Sequence, residues 1–354
     1  MSKMTTEIIK AYLPNGEIDK TAIKKAAEII SSGGLVVMPT ETVYGLGGDG
    51  TNSLAASKIY SAKGRPSDNP LIIHISSPSD AEEYAYTSEI YYKLAKAFMP
   101  GPITVVLKAK PTVPKETRGG LDTVAVRCPS NKVANLLIEY SGVPIAAPSA
   151  NLSGSPSPTS LQHVIDDMNG RVDAIIDGGN SEIGLESTIV KINPDNTMTL
   201  LRPGKITLGE LMSIAPVDVA DAVTNKLSDS ERAISPGMKY KHYAPKAPLY
   251  LIDGSVIDTI AYIKNKNEGR VAIICYSEDA PFFKERSPQY DIYEFGDRSD
   301  EIRQAYLLFS ILRDTDKKSY DAIYAPLPET SGVGLALYNR MIRAAAHQII
   351  RLGR

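Results

Sequence analysis

The stretch that decides the fold is residues 39–47, PTETVYGLG, which directly follow the apolar run 35–38 (LVVM). Such a run predicts a buried strand, and Pro39 ends it because proline has no N–H to donate. The glycines predict a bend with positive φ, where the backbone approaches a ligand closely. A strand that ends in hydroxyl groups and glycines before a helix is a common ligand site in α/β sheets. An ordinary strand-to-helix turn is the alternative.

Composition narrows the class of protein. A chain of 354 residues predicts two domains. With 43% hydrophobic and 23% charged residues it is typical of a globular protein, and a net charge of −2 gives no general attraction to nucleic acid or to an anionic membrane. No apolar run reaches the roughly 18 residues of a membrane span, and the N-terminus lacks signal-peptide features, so we expect a cytoplasmic protein with reduced Cys128 and Cys275. The four scattered histidines lack metal-ligand spacing, so no protein-bound metal is predicted.

Apolar periodicity divides the chain into three parts. Residues 1–214 contain predicted helices at 18–32 and 52–62, a strand at 71–75, and a strand pair at 187–192 and 198–201. Residues 215–247 show little periodicity and are predicted to be a linker. Residues 248–354 alternate strands with helices, the last helix at 335–350, and this pattern predicts a smaller, Rossmann-like parallel α/β domain.

Two nucleotide-binding motifs are excluded. Residues 45–50, GLGGDG, match G-x-G-x-x-G, but Pro39 closes the strand six residues before the first glycine. No strand ends in an acidic residue about 20 residues further on, where a dinucleotide-binding fold needs one. The phosphate-binding loop motif G-x-x-x-x-G-K-[ST] is absent from the sequence. Any nucleotide must therefore be held by other groups.

Cations and hydroxyls at two-residue spacing are candidates for that task. In an extended segment Lys63 and Arg65 would share a face and suit a triphosphate, although basic residues are also favoured at a solvated helix end. Ser149 and Asn151 would likewise share a face and could bond phosphate or sugar without adding charge.

His74 and Arg127 interrupt apolar strands. A histidine in this setting is more often a satisfied core residue. An arginine is rarely buried unpaired, so Arg127 is predicted to face an anion, for example a ligand carboxylate.

Taken together, these segments resemble the threonylcarbamoyl-AMP synthase family in its long, two-domain form, with a YrdC-like first domain. The resemblance covers residues 18–245 and rests on motifs in family order: PTETVYG (39–45), K-x-R (63–65), NPL (69–71) with His74, PGP-x-T (100–104), VR-x-P (126–129), APSAN (147–151), STI (187–189), LRPG (201–204) and SPGMKYKHYAP (235–245).

The resemblance implies the fold and the site residues. The first domain is expected to be α/β, built around a large, twisted, concave mixed sheet. The expected ATP-binding residues are Lys63, Arg65, Asn69, Thr123, Ser149, Asn151, Ser157, Arg202, Tyr240 and His242. The expected threonine-binding residues are Thr42, His74, Arg127, Ala147 through its backbone, and Ser187. The segment around Tyr240, His242 and Tyr243 is a candidate lid over water-labile intermediates.

The implied reaction is the synthesis of L-threonylcarbamoyl-AMP from L-threonine, bicarbonate or CO2, and ATP, with release of pyrophosphate. Mg²⁺ would accompany the phosphates, and no covalent protein nucleophile is expected. A separate tRNA threonylcarbamoyltransferase would pass the product to adenosine 37 of tRNAs that read ANN codons, so direct tRNA binding and a membrane are not required. A nucleic-acid-binding module and a carbamoyltransferase that uses carbamoyl phosphate are the alternatives.

Overall fold

The computed structural model describes residues 5–225, 243–266 and 268–353, and these form two compact units. The first unit comprises the described residues up to 225 except 154–156. The second comprises residues 154–156 and the described residues from 243 onward. The predicted linker 215–247 is therefore described only at its two ends. Among the described residues, no helix is both long and apolar enough to cross a membrane.

The first unit is built on a mixed sheet that contains twelve strands among the described residues. The strands are β1 (Glu7–Lys10), β2 (Val36–Met38), β3 (Gly45–Asp49), β4 (Ile72–His74), β5 (Ala85–Tyr86), β6 (Ile103–Ala109), β7 (Thr123–Arg127), β8 (Ile145–Ala146), β9 (Ala174–Asp177), β10 (Thr188–Ile192), β11 (Met198–Arg202) and β12 (Val217–Val219). Their spatial order is β1-β9-β2-β3-β8-β4-β7-β6-β10-β11-β12, with β5 paired to β6. The predicted mixed sheet is thus confirmed.

Several helices of the first unit begin just after a residue whose side chain caps the helix N-terminus. The helices of this unit are α1 (Lys20–Ser31), α2 (Ser53–Lys63), α3 (Ala81–Tyr84), α4 (Glu89–Phe98), α5 (Lys132–Ser141), α6 (Leu161–Met168) and α7 (Leu208–Met212), with short 3-10 helices at Pro78–Asp80 and Asp221–Val223. The side chains of Asp19, Asn52 and Asn131 accept hydrogen bonds from the first turns of α1, α2 and α5. Helices α1 and α5 bury their apolar faces against β1, β2 and β9.

The glycine-rich stretch is a strand, which corrects the prediction of a turn. β3 runs antiparallel to β2, so residues 39–44 form the loop of a hairpin rather than a strand-to-helix bend. None of Gly45, Gly47 and Gly48 has a positive φ. A Cβ at Gly47 would lie 2.7 Å from Ile145 Cγ2, so close packing within the sheet requires this glycine.

The strand pair predicted at 187–192 and 198–201 is confirmed by antiparallel pairing of β10 with β11. Residues 217–219, which we had placed in the linker, instead extend this sheet as β12, parallel to β11. The pattern Val-Asp-Val is too short to have shown a strand by its periodicity.

The second unit is a parallel α/β fold, as predicted. Its strands are β13 (Leu249–Asp253), β14 (Val271–Cys275), β15 (Asp291–Glu294), β16 (Ala322–Pro326) and β17 (Ile349–Arg351), and its helices are α8 (Val256–Lys266), α9 (Ala280–Arg286), α10 (Glu301–Thr315) and α11 (Gly334–Ala344). The strand order is β15-β14-β16-β13-β17, every pair parallel. In this order β16 lies between β13 and β14, whereas the first two strands are neighbours in a dinucleotide-binding fold.

The last predicted helix, 335–350, is too long at its C-terminal end. α11 ends at Ala344, because Ala346 and His347 have φ values of 49° and 64°. This left-handed backbone turns the chain into β17, a strand that the apolar pattern alone joined to the helix.

Candidate functional site

The motif at residues 39–44 is a buried loop on which neighbouring segments converge. Thr40, Glu41 and Thr42 are each at most 2% exposed. Buried backbone must find hydrogen-bond partners, and here they come from distant segments. Tyr44 N donates to Pro158 O, and Ala150 N donates to Tyr44 O; Ile183 N and Gly184 N donate to the carbonyls of residues 41 and 42. The loop is therefore held by residues 150, 158, 183 and 184, which come from three separate parts of the chain.

One edge of the sheet holds most of the predicted threonine-binding residues. His74 and Arg127 are register partners at the carboxyl ends of the parallel strands β4 and β7. β6 runs antiparallel to β7, and β10 runs parallel to β6, so the amino ends of β6 and β10 lie at the same edge. Ser187 immediately precedes β10, and Arg202 ends β11, which is antiparallel to β10. Four residues from distant motifs thus lie along the same edge of the sheet.

A buried ion pair lies at this edge. Arg127 Nη2 donates to Glu41 Oε1 at 2.7 Å, and both side chains are at most 5% exposed. Arg127 thus faces an anion, as predicted, and this anion is a carboxylate of the protein itself. The pair is incompletely bonded, since Arg127 Nε and Glu41 Oε2 are buried and have no hydrogen-bond partner among the described residues.

His74 is neutral in the folded protein. Burial, and secondly the positive charge of Arg127, lower its pKa to about 3. Its Nδ1 lies 3.2 Å from Ile145 O. A carbonyl oxygen can only accept, so Nδ1 carries the proton and Nε2 is the acceptor nitrogen of the ring. His74 therefore offers a neutral, oriented imidazole beside Arg127.

The hydroxyl of Thr42 is oriented by Thr40. Thr40 Oγ1 donates its hydrogen to Val43 O at 2.5 Å. The 2.9 Å contact between the two threonine hydroxyls must then have Thr42 as donor. The remaining lone pairs of Thr42 Oγ1 can accept a hydrogen bond.

A second group of predicted residues surrounds Lys63. This side chain is 3% exposed, and its ammonium donates to Ser149 O, to Asn151 O at 2.6 Å and to Asn151 Oδ1 at 3.3 Å. Ser149 Oγ donates to Asn151 Oδ1 at 2.5 Å, so the predicted common face of these two residues is present.

The predicted common face of Lys63 and Arg65 is wrong. Lys63 is the last residue of α2, and Gly64 caps the helix with φ 62° and ψ 41°, so the segment is not extended. Arg65 Nη2 instead donates to Asn69 O and Pro70 O, each at 3.3 Å.

Asn69 is buried without using its amide. The residue is 1% exposed, yet neither Oδ1 nor Nδ2 has a partner among the described residues. Its backbone is fixed, because Tyr60 OH donates to Asn69 O at 3.0 Å. Buried amides are normally hydrogen-bonded, so this one is suited to meeting a ligand.

A third group surrounds Ser187. Arg202 donates from Nε to Ser187 O at 3.0 Å and from Nη2 to Ser187 Oγ at 3.1 Å. Thr104 Oγ1 lies 2.7 Å from Ser187 Oγ. Ser157 Oγ donates to Glu186 Oε1 at 2.6 Å. All five side chains are buried.

Of the remaining four predicted residues, one lies elsewhere, one lies beside the motif strand and two are not described. Thr123 begins β7 and lies four positions before Arg127 at the other end, roughly 13 Å along an extended strand. The amide of Ala147 donates to Ile72 O at 2.8 Å, which leaves its carbonyl for other contacts. Tyr240 and His242 lie outside the described residues. Tyr243, a lid candidate, is buried in the second unit, with its ring centroid 5.2 Å from that of Phe309.

Neither a protein nucleophile nor a protein metal cage stands out in the described part of the chain. Burial raises the pKa of Cys128, the residue after β7, to about 12, so it is a thiol at neutral pH. No group of three or more His, Cys, Asp or Glu residues among those described could hold a metal ion.

Our sequence reasoning missed three residues: Glu41, Thr104 and Glu186. Each is buried and bonded to a residue that was predicted. For Glu41, the chemistry of the predicted residues could have indicated the missing partner. A buried arginine needs a carboxylate, and Glu41 is the acidic residue of the motif PTETVYG at residues 39–45.

Fold and side chains together define a two-domain α/β protein whose first unit buries a cluster of polar and charged side chains. The family described as "Telomere recombination" matches residues 28–204, and the family described as "Threonylcarbamoyl-AMP synthase, C-terminal domain" matches residues 206–346. The threonylcarbamoyl-AMP synthase of Pyrococcus abyssi is 42% identical over 344 residues, covering 95% of this chain and 97% of that protein. The threonylcarbamoyl-AMP synthase of Bacillus subtilis is 43% identical over 335 residues, covering 93% of this chain and 94% of that protein.

A solved structure of the same family is similar to this chain over nearly its whole length. The crystal structure of P. abyssi Sua5 complexed with L-threonine has a TM-score of 0.87 and 41% identity, over 98% of this chain and 100% of that one. The chain therefore belongs to the threonylcarbamoyl-AMP synthase family, in its two-domain form, and is a nucleotidyltransferase-type enzyme of tRNA modification.

Proposed function

We propose that this protein makes L-threonylcarbamoyl-AMP from L-threonine, bicarbonate or CO2, and ATP, and releases pyrophosphate. A separate transferase then carries the threonylcarbamoyl group to adenosine 37 of tRNAs that read ANN codons, so this chain has no need to bind tRNA. The observation that carries the proposal is Arg127, a buried cation with an unused Nε beside the neutral His74. It is supported by the L-threonine complex of a relative with 41% identity.

The orientation of threonine determines the chemistry. Arg127 would hold the α-carboxylate in a charge-assisted hydrogen bond. Thr42 and His74, each with an acceptor position, would receive the side-chain hydroxyl, and Ser187 would add a further polar contact. With its carboxylate held, threonine cannot attack ATP through that group. Its amine must therefore first gain a carboxyl group, and the resulting carbamate oxygen attacks the α-phosphorus while pyrophosphate leaves.

The charged residues would act by positioning and by stabilising negative charge. Lys63, Arg65 and Arg202 supply three cations, while Asn69, Ser149, Asn151 and Ser157 supply neutral groups. We assign Thr123, Tyr240 and His242 to the nucleotide by family resemblance alone.

Mg²⁺ fits this site as a companion of the triphosphate. One oxygen of Glu41 accepts from Arg127 and one oxygen of Glu186 accepts from Ser157, so phosphate oxygens and water would supply most of the metal's ligands. Mg²⁺ is usually held by one or two carboxylates together with water and phosphate oxygens. When bound, it would neutralise charge on the phosphates.

The test is dependence on the carbon source. In CO2-depleted buffer, pyrophosphate release should require threonine, ATP, Mg²⁺ and bicarbonate together, and labelled bicarbonate carbon should appear in the AMP-linked product by mass spectrometry. Full threonine-dependent release without bicarbonate and without label would overturn the proposal. Product formation from carbamoyl phosphate instead would identify a carbamoyltransferase.

A further inference from the structure

The ion pair between Glu41 and Arg127 is unusual in what it leaves unbonded. A guanidinium and a carboxylate commonly form two parallel hydrogen bonds. Here a single bond joins Nη2 to Oε1 at 2.7 Å, and both Arg127 Nε and Glu41 Oε2 are buried without a partner among the described residues. An unsatisfied donor and an unsatisfied anionic acceptor therefore belong to the same pair.

Arg127 Nε would bond a negatively charged acceptor of a ligand, and Glu41 Oε2 would bond a positively charged donor. A buried carboxylate oxygen without a donor is unfavourable, because it loses its hydration and gains nothing in return. The nearby protein groups do not supply the donor. Thr42 donates its hydroxyl hydrogen to Thr40, and the amide of Ile183 bonds to the backbone carbonyl of Glu41 rather than to its side chain.

An α-amino acid carries the two complementary charges on a single carbon. Its carboxylate accepts hydrogen bonds and suits Arg127 Nε, while its ammonium donates and suits Glu41 Oε2. The pair matches an amino-acid zwitterion better than it matches a carboxylic acid alone, because a carboxylic acid would leave Glu41 Oε2 without a donor. The neutral state of His74 adds no competing positive charge.

We infer that Glu41 binds the α-ammonium group of the amino-acid substrate, so that Glu41 and Arg127 recognise the two charges of the zwitterion as a unit. This inference rests on the proposed function, which supplies threonine as the substrate. It assigns to Glu41 a role in selecting α-amino acids over acids that carry no donor on the α-carbon.

The test is a cycle of two ligands and two proteins, measured by calorimetry on the full chain. The ligands are L-threonine and 3-hydroxybutanoate, in which a hydrogen atom replaces the ammonium and leaves Glu41 Oε2 without a donor. The proteins are wild type and Glu41→Gln, a variant that keeps a carbonyl oxygen for Arg127 Nη2. Glu182→Gln, at an exposed position two residues before Gly184, is the matched control.

We expect Glu41→Gln to weaken threonine binding at least about tenfold, the scale of one charged hydrogen bond. Binding of 3-hydroxybutanoate should stay within about twofold of wild type, which also shows that the site remains folded. Equal weakening of both ligands would mean that Glu41 only positions Arg127, and tighter threonine binding would mean that Glu41 merely competes for it. Either result overturns this inference alone. Failure of the wild-type protein to bind threonine would overturn the proposed function as well.

Discussion

At the scale of single residues, the site consists of buried polar groups, and only some of these groups have all their hydrogen bonds within the protein. Lys63 has three acceptors from the turn 149–151, whereas Asn69 has none for its amide. A fully bonded group holds the shape of the site, and a buried group without partners is where a ligand gains most. Loss of a bonded group should therefore affect folding as well as any role in binding, whereas loss of an unbonded group should affect mainly binding.

Lys63→Ala should therefore reduce both ATP binding and stability. Removing a charged hydrogen bond to a phosphate weakens binding by about 1.5–3 kcal/mol, and the buried acceptors near residues 149 and 151 lose their donor at a similar scale. The exposed Lys58 on the same helix is the matched control, and Lys58→Ala should leave both unchanged within about 0.5 kcal/mol. Calorimetry with ATP and urea unfolding measure the two effects. Unchanged ATP affinity in Lys63→Ala would place the triphosphate elsewhere.

His74 should make the stability of the first unit depend on pH. The pKa of the unfolded histidine is near 6.5, and that of the folded one is lowered to about 3. Between these values the unfolded chain binds a proton that the folded chain does not. Stability is therefore fully present above about pH 6.5 and falls by up to about 1.4 kcal/mol per pH unit below it. Urea unfolding at pH 7 and pH 5 should show this loss in wild type. An equal loss in His74→Gln would assign it to other groups.

At the scale of elements, the hairpin of β2 and β3 determines where the motif loop lies. Its glycines permit close contact between neighbouring strands, so that the loop at 39–44 is surrounded by the segments that complete the site. The packing of this strand and the geometry of the site are thus coupled, although the strand itself carries no predicted ligand contact.

Gly47→Ala should destabilise the first unit by roughly 1–3 kcal/mol, because its Cβ would lie 2.7 Å from Ile145 Cγ2 and 3.1 Å from Val36 O. Gly209→Ala is the matched control. A Cβ there meets nothing within 4 Å, and alanine favours the helix α7, so this change should be neutral or slightly stabilising. Thermal unfolding compares the two variants, and an equal melting temperature would show that the sheet relaxes around the added methyl group.

At the scale of the whole molecule, each unit has its own apolar core and its own sheet. We therefore expect the first unit to fold as a fragment, with an outcome that depends on where the chain is cut. A fragment that ends at Asn225 keeps β12 and the buried Ala222 and Val223, whereas one that ends at Ile214 exposes the edge of β11.

The longer fragment should accordingly melt several degrees higher and aggregate less, since it retains a paired strand and buried apolar surface. Circular dichroism and size-exclusion chromatography of the two fragments test this. Equal melting temperatures would mean that residues 217–223 add nothing to the first unit. That result would favour our original boundary at residue 214.

The sequence by itself determined the family, the division into α/β parts and most of the residues that meet at the site. These follow from local patterns, namely apolar period, capping residues and short motifs, which are properties of neighbouring residues. Lys63 with Asn151, and Arg202 with Ser187, come from motifs whose order along the chain already marked them.

Only the tertiary structure decided that the glycine stretch is a strand, that residues 217–219 belong to the sheet, and that Glu41 pairs with Arg127. Strand order places partners 86 residues apart side by side, and no local pattern contains that information. The same is true of close packing, because the clash that requires Gly47 comes from Ile145 on β8. Burial and pairing depend on the three-dimensional neighbours of a residue, and these exist only once the sheet has formed.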